Sequence, residues 1–294
     1  MRGWWQELTD LVLPSDCAGC EAPRTALCPR CRAALEGRPA RRVRPVPEPA
    51  GLPVVHAVAP YATEVRALLL AHKERGALAL AGTLGAALAE AVRAGLRAPG
   101  AGLHRPGAGG GPGGRPGPVL LVPVPSARWA VRARGHDPVR RMALAAAREL
   151  RRTGTPARVA AVLRQRRAVA DQTGLDARRR RANLAGALEV TAGGGRLLGT
   201  GRIVLVDDLV TTGASLAEAA RALGAAAVPR PDQGTPVYAA ASREGRGEQR
   251  NGARLEGRKC VPDAPDIAVP NALGRLLRAA VIAAPWDSFE LDRN

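Results

Sequence analysis

The 294-residue chain predicts an α/β protein, a parallel sheet flanked by helices, carrying a small N-terminal four-cysteine module. Three observations predict it. The short apolar runs Val119–Val124 and Arg202–Val206 have the near-continuous hydrophobicity of strands buried on both faces. Helical patterns alternate with them, as in layered α/β domains. Four cysteines form two Cys-x-x-Cys pairs, Cys17/Cys20 and Cys28/Cys31, spaced as metal ligands.

Composition narrows the class further. Hydrophobic residues make up 46% of the chain and aromatics 2%, so the core must be built from Ala, Val and Leu. The net charge is +18, and among the basic residues only Lys73 and Lys259 are lysine. Part of this arginine excess reflects a GC-rich codon bias. No run of eighteen apolar residues suits a transmembrane helix, so no membrane insertion is expected. The opening stretch Met1–Asp10 lacks the apolar core of a secretory signal. A soluble cytoplasmic protein is expected.

In chain order, residues 4–13 read as a short amphipathic helix, with Trp4 and Trp5 packing it. Residues 1–36 are expected to form the zinc-binding module and residues 37–53, rich in Pro and Arg, an extended linker. A β-branched stretch covers Val54–Val58. Two Ala/Leu-rich helical patterns follow at Glu64–Leu70 and Leu78–Leu96, with Leu84, Leu88 and Val92 recurring on one face. Residues 98–118 hold nine Gly and five Pro and read as a disordered insert. After the strand at 119 comes a helix at about 137–152. Ile203–Val206 ends in Asp207-Asp208, and a helix over Ala214–Leu223 carries Leu216, Ala219, Ala220 and Leu223 on one stripe. Residues 225–278 are polar and proline-broken, and read as a loosely ordered insertion. Were they to displace a strand, the sheet edge would be weakened. Leu273–Ala284 returns to helix or strand.

The densest chemistry lies in Ile203–Ser215. A buried strand delivers two adjacent carboxylates to the carboxyl edge of the sheet, where open α/β folds bind ligands. A turn of small hydroxyl residues then enters a helix N-terminus, whose N–H groups and dipole suit a phosphate. Thr211, Thr212 and Ser215 add hydroxyls, and Gly213 permits close backbone approach. Paired acids beside such a cradle suit a sugar phosphate, the acids accepting from ribose hydroxyls. The two Cys-x-x-Cys turns suit a structural Zn²⁺, since four thiolates leave no open position. Its contribution to folding is expected to be local. The alternative, a redox pair at Cys28/Cys31, needs a thioredoxin-like context that the pattern lacks.

Val204–Ser215 resembles the phosphoribosyl-pyrophosphate (PRPP) loop of the type I phosphoribosyltransferases. The chain is also similar to the ComF family. The resemblance rests on the cysteine cluster, Tyr61 with Lys73-Glu-Arg-Gly76, and Pro123-Val-Pro125 followed by Arg132-x-Arg-Gly135. It continues through Gln172, Leu175, Arg180, Asn183 and Gly186 to the closing Asp287–Asn294. It covers about 1–97, 119–224 and 279–294. It implies a type I phosphoribosyltransferase fold over 54–294, interrupted at 98–118 and 225–278. It also implies transfer of ribose 5-phosphate from Mg-PRPP to a nitrogen acceptor, with pyrophosphate release. Asp207 and Asp208 would hold the ribose hydroxyls. Val206 and Thr211, Thr212, Gly213, Ala214 and Ser215 complete the PRPP loop. Val124, Pro125 and Ser126, with Arg132 or Arg134, would take the pyrophosphate, and Mg²⁺ would arrive with the PRPP.

Residues 126–183 carry sixteen arginines against four acids. They read as a pyrophosphate-binding loop around 164–180, a nucleic-acid face, or solvated surface. The competing function is therefore a non-catalytic adaptor in DNA uptake or processing, as the family's association with competence suggests. It would use the basic face to bind single-stranded DNA or a helicase-like partner. His136 lies near the expected pyrophosphate turn and reads as a ligand contact or a helix-start side chain. Cys260 reads as a free thiol without a role.

Overall fold

A computed structural model describes residues 16–36, 38–98, 117–167, 169, 177–227 and 277–290. The helix expected at 4–13, most of the two inserts, Gln172, Leu175 and Cys260 lie outside the described residues.

After the cysteine turns, α1 (Pro29–Glu36) leads to β1 (Arg41–Val43), β2 (Val54–Pro60), α2 (Thr63–Glu74) and, past a short 3₁₀ turn, α3 (Ala81–Arg97). Next come β3 (Val119–Pro123), α4 (Arg128–Arg134), α5 (Pro138–Arg152), β4 (Ala157–Val159) and β5 (Leu163–Gln165). The described chain closes with α6 (Ala177–Leu184), β6 (Leu188–Val190), α7 (Gly194–Leu198), β7 (Arg202–Leu209), α8 (Ala214–Ala227) and β8 (Arg278–Ala284). Six strands form one sheet in the order β1-β2-β8-β7-β3-β4. All neighbours are parallel except β1, which runs antiparallel to β2 at the edge. The protein is thus α/β, with a mostly parallel sheet flanked by helices and a four-cysteine cluster at its N-terminal end.

Strand alternation divides the core. Val119, Leu121, Val204, Val206, Ala280 and Ile282 share one core with the buried faces of α2, α3 and α5. Leu120, Val122, Leu205, Ala279 and Val281 form a second core with α8. The antiparallel pair β5–β6 is tied to α8 through Glu218, which accepts from the Leu188 N–H at 3.0 Å and from Arg221 at 2.7 Å. Helix α3 and the turn before it, Leu78–Arg97, are long and apolar enough to cross a membrane by composition alone. Half of that apolar stretch is buried inside the protein, as in a core helix.

Two features depart from expectation. The supposed linker 37–53 contributes β1, because Val43 is buried and pairs opposite Val55. Its prolines lie outside the strand, where they cost no ladder hydrogen bond. The return expected at Leu273–Ala284 is met by a strand at the centre of the sheet, where β8 pairs with both β7 and β2 and is buried along its whole length. The cysteines belong to the same core as α2 and α3 rather than standing apart, so their contribution is not local.

Helices α3 and α5 meet at Gly85. A Cβ there would overlap that of Ala145 and lie 2.9 Å from the Ala146 backbone nitrogen. Gly85→Val should therefore destabilise the protein by about 2 kcal/mol or more in denaturant unfolding, as overpacking does. Gly82, with nothing within 4 Å of a built Cβ, is the control. Gly82→Ala should stabilise by about 0.5 kcal/mol. Equal responses from the two variants would mean that α3 and α5 are not in close contact.

Candidate functional site

Strand β7 runs through the sheet centre and ends with both carboxylates at its carboxyl edge. The pleat separates them. Asp208 falls on the side of α2, is only 7% exposed, and meets Lys73 Nζ at 3.0 Å through Oδ2. Asp207 lies opposite Val281 of β8, and its Oδ1 accepts from the Asp208 N–H at 2.9 Å. Burial first, then the neighbouring Asp208 charge, pushes the Asp207 carboxyl well above the usual carboxylate range, with Lys73 partly opposing. The Lys73 ammonium is held above its usual value, chiefly by Asp208. Two acids this close, one of them disfavoured as an anion, form a place where hydroxyl donors or a cation would be welcomed.

Past β7, the Val210 N–H donates to Ala283 O at 3.0 Å, which fixes where the loop begins. Gly213 has φ +73°, and a side chain there would press on Leu52 and Pro49 at 3.0 and 3.2 Å. Glycine is therefore required for both conformation and space. Thr211 is exposed and receives Arg180 at 3.3 Å, while Thr212 Oγ1 faces the Ala214 N–H at 3.5 Å. Ser215 is half-buried in the first turn of α8, whose 14 residues give it a full helix dipole.

The turn after β3 lies alongside, because Pro123 is in register with Val206. Of its three expected ligand residues, Val124 is buried and its N–H already donates to Val206 O at 2.9 Å. Pro125 has no N–H, so Ser126 is the donor this turn can offer. Arg132 is exposed to solvent. Arg134 instead turns to the end of α2, donating to Lys73 O at 3.4 Å and approaching Glu74 at 3.6 Å. His136 joins the same corner through His72 O at 3.2 Å and Arg134 O at 3.0 Å. Val206, Asp207, Asp208 and Thr211–Ser215 are thus brought together with 124–126 at one sheet edge, and Arg134 reaches them only through α2. Lys73 is the residue that motif reading left out of the site. Its signal was composition: one of two lysines among 44 bases marks a position where arginine does not serve.

The Sγ atoms of Cys17, Cys20, Cys28 and Cys31 lie within 4.8 Å of one another, with Cys20 and Cys28 at 3.5 Å. A tetrahedral Zn²⁺ with bonds of about 2.3 Å needs sulfurs of that spacing. The Cys28 N–H donates to Cys17 Sγ at 3.3 Å and the Cys31 N–H to Cys28 Sγ at 3.4 Å, as backbone donors do to thiolates. Burial disfavours the Cys17 thiolate, but N–H groups of Cys28, Cys20 and Gly19 outweigh it and bring the thiol down to about 6. Burial pushes Cys31 up. The four residues fit a closed, structural zinc centre.

That centre is pressed onto α2. A side chain at Gly19 would strike Cys31 Sγ at 2.7 Å and Leu68 at 3.3 Å. Arg75 donates to Ala18 O at 3.1 Å, and Arg30 meets Glu64 at 2.6 Å. Stripping zinc with a strong chelator should therefore lower the melting temperature of the protein as a whole, by about 5 °C or more in one transition. Cys31→Ser should reduce bound zinc, measured by atomic absorption, from one equivalent to none. An unchanged melting curve after complete zinc removal would refute the coupling.

The two acids should respond oppositely to removal. A carboxyl raised on folding contributes stability that is present at low pH and lost as pH rises through its folded value. Asp207→Asn escapes that loss, so it should melt above the parent from about pH 5 upward, the gap closing toward about pH 4. Asp208→Asn strips Lys73 of its partner and should melt below the parent at neutral pH. Lys73, raised on folding, contributes stability below its ordinary range, and this variant lacks it. Thermal unfolding across the pH series decides.

No protein-family model matches the chain, and no curated protein matches it.

Proposed function

We propose that the protein is a phosphoribosyltransferase-like protein of the ComF type, working in the cytoplasm on PRPP or a related ribose phosphate. The observation that carries this reading is the edge of the central sheet. Two adjacent aspartates end β7, a hydroxyl-rich loop leads straight into the N-terminus of α8, and the turn at 124–126 runs beside them. Asp207 and Asp208 would accept from the ribose 2′- and 3′-hydroxyls. The N–H groups and hydroxyls of Thr211–Ser215 suit the 5′-phosphate. Ser126, with Arg132 or Arg134, suits the diphosphate. Mg²⁺ arriving with the PRPP would supply charge neutralisation there. In transfer, the bond from the anomeric carbon to the diphosphate oxygen breaks and a carbon–nitrogen bond forms. Pyrophosphate leaves with the electron pair, and the acceptor nitrogen loses a proton. The developing cationic centre favours a site rich in carboxylates.

Calorimetric titration of Mg-PRPP into zinc-loaded protein should give saturable binding at one site. Asp207→Asn/Asp208→Asn should abolish it, while remaining folded by circular dichroism. Pyrophosphate release in a screen of nitrogen acceptors then identifies turnover. Absence of binding to the folded parent would remove this reading.

A second reading, an adaptor for single-stranded DNA or a helicase-like partner, is favoured by one observation. Trp129, 58% exposed on α4, stands between Arg128 and Arg132 just past the 124–126 turn. An exposed aromatic among arginines is a stacking platform for unpaired bases. Here binding should weaken steeply with salt, survive Asp207→Asn, and fall when Trp129 and Arg132 are replaced.

A further inference from the structure

Lys73 sits one residue before the end of α2, and the backbone on both sides of it is pinned. Arg134 bonds its carbonyl at 3.4 Å, His136 bonds that of His72 at 3.2 Å, and Arg75 bonds Ala18 and Ala67 at 3.1 and 3.3 Å. The His72 ring lies between Ala77 O and Pro138 O, each 3.4 Å from a ring nitrogen, and its neutral form donates to one of them. A flexible surface lysine needs no such frame. This one delivers its ammonium to Asp208 Oδ2 at 3.0 Å, against an acid that is nearly enclosed.

We propose that Lys73 is a positioning residue of this site, holding Asp208 by one oxygen so that the remaining oxygens of the aspartate pair stay open for ligand. The inference rests on reading the pair as the acceptor of a ribose phosphate, and it names what prepares that pair. The choice of side chain supports it. Where nearly every base is arginine, an arginine here would grip both carboxylate oxygens in a planar fork and close Asp208 to ligand. A lysine is a point charge that occupies one oxygen. The groups facing it are Asp207 and Asp208 from β7, Glu74 beside it on α2, Arg134 from α4, and the His72–His136 corner. Of these, Arg134 opposes the lysine charge and is partly neutralised by Glu74. His72 is held toward its neutral form by burial, so it adds no cation at neutral pH.

Carboxyl ¹³C titration tests the charge directly, with the two resonances assigned by difference from Asp207→Asn and Asp208→Asn. Lys73→Met should move the titration of the pair to higher pH, and Lys73→Arg should return it toward the parent. Mg-PRPP affinity should fall about tenfold at pH 7 in Lys73→Met, the loss shrinking as pH rises. Lys73→Arg should restore the titration yet still bind the ligand weakly, because the fork covers Asp208. A merely structural lysine would shift the titration but would not show this split between charge and affinity. Superposable titrations in the parent and Lys73→Met, both folded, would overturn the proposal whatever the ligand does. A shifted titration in a protein that never binds Mg-PRPP would uphold the hold of Lys73 on Asp208 and remove the ribose-phosphate reading instead.

Discussion

A core with almost no aromatic bulk can be filled only if its layers come close together. Apart from Met142, the largest fully buried side chains are all leucines, and β8 at the sheet centre is built mostly of alanine. Interiors must still reach crystal-like density, so small side chains translate into short interlayer distances. Gly85 against Ala145 and Gly95 against His56 are where that constraint is most visible. Neither contact would exist in a core spaced by phenylalanine.

The same constraint shapes the site. Helix α2 lies close enough to the sheet for Lys73 to reach Asp208 directly. The four-cysteine cluster is pressed onto the same helix at Leu68. Metal centre and carboxylate pair therefore both bear on α2.

What could be read from the sequence, and what could not, follows the range of the interactions. The strand ending in Asp207-Asp208, the loop and α8 were legible because their pattern is local: an apolar run, two acids, hydroxyls, an i, i+3, i+4, i+7 stripe. The cysteine pairs were legible for the same reason. Strand β1 was not, because three residues rich in arginine carry no strand signal, and only pairing with β2 makes Val43 a core residue. The antiparallel pair β5–β6 is tied to Glu218, thirty residues from its partner Leu188. Lys73 and Asp208 are separated by 135 positions, so no motif could join them. Val124 fails as a donor because its N–H is spent in a bond to Val206, a cost visible only once the strands are paired.

The arginine excess can now be divided by use. Arg221 holds Glu218, Arg93 and Arg152 gather around Glu149, and Arg42 and Arg44 hold Glu290 near the end of the chain. These are framework pairs, mostly part-exposed, each of modest worth. They show that part of the positive charge serves the fold. Arg180 differs, since it reaches the loop hydroxyl of Thr211, beside the cradle at the start of α8. Its placement argues that the four-arginine run of α6 is more than solvated surface. A small anion held at Thr211–Ser215 would meet a cation already in place, whereas an extended strand of nucleic acid would draw on Arg128, Trp129 and Arg132 farther along the edge. The two functional readings therefore divide along the sheet edge into adjacent but separable sets of side chains, and both can be carried by one protein.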